Sequence, residues 1–157
     1  MITSDGFREQ PILYGPRVRL EPLTARHFDG IWSMVVEPET ARLTGTHRRF
    51  SEAEIRRWLD KTRQKHHDRA DWVIALAEDR AVLGESVLDE PDEDNAAVNF
   101  RISLVGPEVF GRGSGTEATR LVLDYALDVV GLHRVELEVY DFDPRAQRLY
   151  ERCGFVR

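Results

Sequence analysis

The spacing of apolar residues changes at one glycine-rich stretch, and that change limits the folds open to this chain. Before Gly111-Arg112-Gly113-Ser114-Gly115, three apolar segments at 72–77, 82–88 and 97–104 are separated by short polar turns. In the third, Val98, Phe100, Ile102 and Leu104 alternate with Asn99, Arg101 and Ser103, the period of a strand with one buried face. Asp79-Arg80 and residues 91–95 supply the turns, so the three form an antiparallel meander. The acidic run 89–94 reads as a hairpin loop. After the glycines, Ala118, Leu121, Val122, Tyr125, Ala126 and Val129 follow the pattern of one helical face. Gly131 closes that helix as its C′ residue. A strand over 132–140 follows, with Val135, Leu137 and Val139 on one face. Asp143-Pro144, a cap and a first-turn proline, opens a last helix that carries Ala146, Leu149, Tyr150 and Cys153 and stops at Gly154.

The N-terminal third supports the same sheet. Residues 1–15 read as irregular, with Gly15-Pro16 as a stop. Val18, Leu20 and Leu23 among Arg17, Arg19 and Glu21 make a first strand. Thr24 caps a helix running to about Val36, before Pro38, with Phe28, Ile31, Trp32 and Val35 on its apolar face. Residues 42–50 read as a loop around Gly45. Ser51 and Glu54 form a capping box for a second helix with Ile55, Trp58, Leu59 and Thr62 on one side, ending near His66-His67. Phe155-Val156 begins another strand as the chain reaches Arg157. The expected class is α/β in the broad α+β sense: one domain over 1–157, a mixed, mostly antiparallel central sheet with helices on both faces.

At 157 residues the chain is long enough for one real core. Its net charge of −6 argues against nucleic acid as the main partner, since phosphate contact needs a basic face. It is compatible with a cationic substrate. One cysteine, Cys153, allows no internal disulfide framework and suits a reducing compartment. No apolar run has signal-peptide or membrane-spanning length, so a cytoplasmic chain without a membrane partner is expected. His27, His47, His66, His67 and His133 lack metal-ligand spacing, and no metal is expected. Cys153, on a packed helix face, reads as an inert thiol.

Glycines opening a helix make a seat for phosphate, because free N–H groups and the positive end of the helix dipole converge there. Gly113, Gly115 and Ala118 satisfy a dinucleotide fingerprint, with Glu138 twenty residues on where a ribose-binding acid belongs. The context opposes that reading: the motif follows a meander rather than the first strand of a parallel sheet. A P-loop is excluded because no Gly-Lys-Ser/Thr follows. A tight strand-to-helix turn without a ligand is the plain alternative.

The C-terminal half resembles the GCN5-related N-acetyltransferase superfamily, and within it the RimJ/RimL-like branch. The resemblance lies in Asn99-Phe100-Arg101-Ile102-Ser103-Leu104, in Phe110-Gly111-Arg112-Gly113-Ser114-Gly115-Thr116-Glu117-Ala118, and in the segment from Leu132 to Val139. It continues through Asp143-Pro144-Arg145-Ala146 and Leu149-Tyr150-Glu151-Arg152-Cys153-Gly154-Phe155. Residues 18–85 fit the family's order of elements with weaker motifs.

The resemblance implies acetyl-CoA as co-substrate and direct attack by a primary amine on the thioester. Backbone N–H groups of Arg112, Gly113, Ser114, Gly115 and Thr116 would hold the pyrophosphate. Splayed strands 97–104 and 132–140 would open a slot for the pantetheine arm. Main-chain groups of Leu104 and Val105 would pair with its amides, and an N–H there would polarise the thioester carbonyl. Tyr150 matches the family tyrosine that protonates the leaving thiolate; from packing alone it reads as core.

The base is where the chain departs from the family, because Asn99 stands where many relatives carry glutamate. Glu85 is the expected substitute, with Glu138 as another; each also reads as a solvated strand face or a sheet salt bridge. Asp143 stands near the cofactor where relatives often have asparagine. Phe110 stands three residues before Gly113, where the family commonly has glutamine or arginine. Arg145, Arg148 and Arg152 share one side of the last helix, and Arg145 is placed to reach the cofactor. Trp32 and Trp58 read as core, or as walls of the acceptor site.

The family usually continues past the Gly-Phe pair with a final strand, which the domain is expected to lack. The acceptor is a small-molecule or peptide amine, and the chain a monomer or homodimer. The other readings are a non-catalytic module binding CoA or acetyl-CoA and, more distantly, a dinucleotide oxidoreductase.

Overall fold

The computed structural model describes residues 7, 10–44, 48–62 and 68–157. Six strands form one sheet in chain order: β1 (Leu13–Tyr14), β2 (Val18–Pro22), β3 (Arg69–Leu76), β4 (Val82–Asp92), β5 (Ala97–Leu104) and β6 (Arg134–Glu136). Every neighbouring pair is antiparallel except β5 and β6, which run parallel. The helices are α1 (Phe28–Val36), α2 (Pro38–Thr44), α3 (Glu52–Thr62), α4 (Ser114–Asp124) and α5 (Pro144–Arg152).

Strand alternation divides the sheet into two faces with a core on each. Leu20, Trp72, Ile74, Leu88, Val98 and Phe100 pack with Ala118, Val122, Tyr125 and Ala126 of the helix after the glycines. Val73 packs on the opposite side with Leu23, Phe28, Ile31, Met34, Ile55 and Leu59. Each buried Val, Leu, Ile, Phe or Met side chain among them contributes about 1.5–3 kcal/mol. Trp72 anchors the first core. It is fully buried, its Nε1–H donates to the Pro11 carbonyl at 3.0 Å, and its ring meets Tyr125 edge-on at 5.4 Å. Trp32 and Trp58 pack against the second core, as the helical spacing implied.

Capping follows the local sequence. The Glu54 N–H donates to Ser51 Oγ at 3.1 Å, while the Ser51 N–H donates to Glu54 Oε1 at 3.3 Å. Gly131 has φ +86° at the end of the α4 helical run, which finishes in a π turn over Tyr125–Val129.

Five expectations need correction. Within the stretch 1–15 read as irregular, Leu13 and Tyr14 pair with Leu20 and Arg19 as β1, so the sheet begins one strand earlier than Val18. Residues 42–44 belong to α2 rather than to a loop, because Pro38 starts a helix at its first position, where its missing N–H costs nothing. The acidic run is strand as far as Asp92: Asp89 accepts across the sheet from Asn99 at 2.8 Å and from Arg101 at 2.8 Å. The turn therefore falls after Asp92. β6 pairs over three residues only, although Leu137 and Val139 remain half-buried and Glu138 and Tyr140 exposed. Phe155 forms no strand; its ring stacks on Phe100 at 6.5 Å and meets Tyr150 edge-on at 5.9 Å. Residues 45–47 and the end of the second predicted helix at His66-His67 lie outside the described residues. No helix among the described residues is long and apolar enough to cross a membrane.

Candidate active site

Gly113 is the N-cap of α4 and sits at φ +84°, a conformation that side-chain-bearing residues rarely take. The Glu117 N–H closes the first helical bond on the Gly113 carbonyl at 3.0 Å. The N–H groups of Ser114, Gly115 and Thr116 therefore precede the helical ladder and point out of its start. A Cβ at Gly115 would lie 2.9 Å from Leu149 Cδ1, so the glycine lets α5 close on α4. A Cβ at Gly113 would collide with the Arg17 guanidinium, which lies across the loop. Arg17 is 62% exposed, and its ion pair to Glu117 is long, at 3.5 Å. Nothing in the local sequence singled out Arg17, which Glu117 brings to the loop from a hundred residues away. The glycines, free N–H groups and guanidinium together suit a bound pyrophosphate.

Beside this seat the sheet opens. β6 pairs with Ala97, Val98 and Asn99 and then leaves β5. The Val105 N–H donates to the Leu83 carbonyl at 2.8 Å, which sets the alternation of the β4–β5 ladder. By that alternation Phe100, Ile102 and Leu104 turn their main-chain groups away from β4, toward the gap. Of the two residues expected to meet the pantetheine arm, Leu104 faces the opening while Val105 gives its N–H to β4. The Leu104 carbonyl also accepts from Thr40 Oγ1 of α2 at 2.9 Å.

Gap and seat belong to one cleft of 1640 Å³, and Glu85, Tyr150, Asp143 and Glu138 are on its wall. Glu85 stands on β4, opposite Ser103 of β5. Its Oε2 is sealed from solvent and has no hydrogen-bond partner among the described residues. Burial, with the nearby Asp71 carboxylate adding to it, raises the Glu85 pKa to about 7 against the attraction of Arg69 and Arg101. Glu138 is exposed. Asn99 is held by Asp89.

Tyr150, on α5, is a phenol whose pKa burial pushes far above its ordinary value, with the Asp143 charge adding to the effect. It stays protonated throughout the physiological range. Asp143 is 7% exposed, and its Oδ1 accepts the Ala146 N–H at 3.1 Å. This is the expected cap. Arg145 lays its guanidinium 3.5 Å from the Phe110 ring centre, beside the glycine loop. The Cys153 thiol contacts the Thr116 carbonyl, and burial raises its pKa. No group of three or more His, Cys, Asp or Glu among the described residues is placed to hold a metal ion.

The fold and the cleft define an acyl-CoA N-acyltransferase architecture. Residues 17–156 match the acetyltransferase (GNAT) domain model, and the chain belongs to that family. The chain is 33% identical over 101 residues to spermidine N(1)-acetyltransferase of Vibrio cholerae, across 62% of this chain and 57% of the relative. It thus spans little more than half the length of that relative. It superposes on the crystal structure of a GNAT-family acetyltransferase from Bacillus anthracis with a TM-score of 0.81 and 16% identity, over 94% and 84% of the two chains. A spermidine N-acetyltransferase from Vibrio cholerae, crystallised with CoA and spermine, gives 0.80 and 23% identity, over 90% and 82%. At these identities the two crystal structures establish the fold.

Proposed function

We propose that this chain is an acetyl-CoA-dependent N-acetyltransferase of the RimJ/RimL-like branch, acting on a primary amine by direct attack in a ternary complex. The observation that carries the proposal is Glu85: a carboxylate with one oxygen, Oε2, sealed from solvent and unpartnered among the described residues, on the wall of the same cleft as Tyr150 and the glycine seat. Acetyl-CoA supplies the activated acyl group. The N–H groups of Ser114, Gly115 and Thr116, aided by Arg17, hold its pyrophosphate. The main-chain groups of Ile102 and Leu104 align the arm. Glu85 takes the proton from the attacking nitrogen as the N–C bond forms. Tyr150 gives its phenolic proton to the sulfur as the C–S bond breaks. A carboxylate that titrates near 7 is a stronger base than an ordinary glutamate and is still about half ionised at neutral pH.

Glu90 and Glu138 also line the cleft and favour a cationic acceptor, whereas Asp89 there is already held by Arg101 and Asn99. The polyamines named for two of the relatives are therefore the first acceptors to try. Thiol release from acetyl-CoA, measured against polyamines, amino acids, aminoglycosides and peptide N-termini, tests the proposal. Release that depends on one amine class supports it. Absence of release, with acetyl-CoA still raising the melting temperature, overturns it in favour of a CoA-binding module.

A further inference from the structure

Resting on the reading of Glu85 as the base, the geometry points to Asp71 as its positioning residue: by occupying two of the three nitrogens of the Arg69 guanidinium, Asp71 keeps that cation off the Glu85 carboxylate. Asp71 is a buried carboxylate on β3, on the same face of the sheet as Glu85 and two residues along from Val73, its cross-strand neighbour. Arg69 Nε donates to Asp71 Oδ2 and Arg69 Nη2 to Asp71 Oδ1, each at 2.9 Å, a two-pronged bond that consumes the fork. The third arm, Nη1, lies 3.9 Å from Asp89 Oδ2.

The other cation near Glu85 is treated alike. Arg101, reaching in from β5, donates to Asp89 Oδ2 at 2.8 Å. The charged groups acting on Glu85 are thus Asp71 and Arg69 from β3 and Arg101 from β5. On the remaining side α1 packs across β4 and buries only Phe28, Ile31 and Met34. With two guanidiniums within electrostatic reach, Glu85 still pairs with neither, because each is already committed to another carboxylate. Asp71 adds its own negative charge beside Glu85, which further favours the protonated form.

The test is a carboxyl-carbon NMR titration of Glu85 in the full chain, assigned by its loss in Glu85→Gln, alongside the pH dependence of kcat/KM for the amine. In Asp71→Asn the freed Arg69 swings to Glu85, and the Glu85 midpoint falls by about 1–3 pH units. The acid limb of the rate profile moves with it. The double variant Asp71→Asn/Arg69→Met removes the freed cation and returns the midpoint most of the way to wild type. Arg69→Met alone leaves Asp71 unneutralised and raises the midpoint, a result obtainable even where Asp71→Asn does not fold. An unmoved midpoint in Asp71→Asn, a double variant no different from it, or a fall in Arg69→Met overturns the inference. A chain that acetylates no amine overturns the proposed function instead, and the carboxyl titration still decides the role of Asp71.

Discussion

Glu117 reaches from the first turns of α4 to the start of β2, where it accepts the Val18 N–H at 2.6 Å and the Arg17 N–H at 3.0 Å. One carboxylate thus straps the helix that opens at the glycine loop to a strand nearly a hundred residues earlier. It also sets the direction in which the Arg17 side chain leaves the backbone.

Glu117→Ala leaves the Val18 N–H without its partner. Hydrogen bonds to a charged group are worth about 1.5–3 kcal/mol each. The expected loss is of that order, read as a fall in melting temperature of about 2–4 °C per kcal/mol for a chain of this size. The stabilisation by acetyl-CoA should shrink as well, because Arg17 loses its anchor. A variant that melts as the wild type does would show that the strap carries no strength.

Two loop glycines should respond differently to alanine. Both have positive φ, +73° at Gly111 and +84° at Gly113, so each substitution carries about 1–2 kcal/mol of backbone strain. A Cβ at Gly111 meets nothing within 4 Å, whereas one at Gly113 displaces Arg17. Gly111→Ala should keep most of the melting-temperature rise produced by acetyl-CoA, and Gly113→Ala or Gly113→Asp should lose it. Equal rises would remove Arg17 and Gly113 from the phosphate seat.

Glu85 makes stability depend on pH in a direction opposite to that of a paired carboxylate. Its pKa rises from 4.5 to about 7 on folding. Below 4.5 it is protonated in both states. Between 4.5 and 7 the folded chain keeps a proton that the unfolded chain has lost, so stability falls as pH rises, by on the order of 3 kcal/mol in all. Above 7 the penalty is constant. Glu85→Gln should abolish amine turnover and remove this slope, leaving the variant more stable than wild type at pH 8. Urea unfolding at pH 5 and pH 8 measures both. A variant less stable than wild type at pH 8 would contradict the buried, unpaired carboxylate.

Tyr150→Phe removes a hydroxyl that makes no hydrogen bond among the described residues and keeps the ring against Phe155. Stability should hold and the affinity for acetyl-CoA should change little, while kcat drops about 10²-fold or more. Undiminished turnover would reduce Tyr150 to packing.

What the sequence showed and what it hid follow from the range of the forces involved. The Ser51–Glu54 box, the Asp143 cap, the glycine turn at Gly131 and the bounds of Ala97–Leu104 depend on residues within a few positions, and all were legible. Arg17 at the loop was hidden, because only the Glu117 strap brings it there. Asp71 was hidden too: its place beside Glu85 depends on the register of β3 with β4, which no spacing within either strand contains. The short β6 was misread because the alternation of Val135, Leu137 and Val139 records which face is buried, not whether a neighbouring strand is in reach.

The parting of β5 and β6 has a consequence for how this architecture diversifies. An opening bounded by main-chain groups at Phe100, Ile102 and Leu104 is defined by backbone path, and backbone path survives most changes of side chain. Drift along the outward faces of β4 and β5 can therefore remodel what the cleft welcomes while leaving untouched the place where an extended ligand would slot in as a surrogate strand.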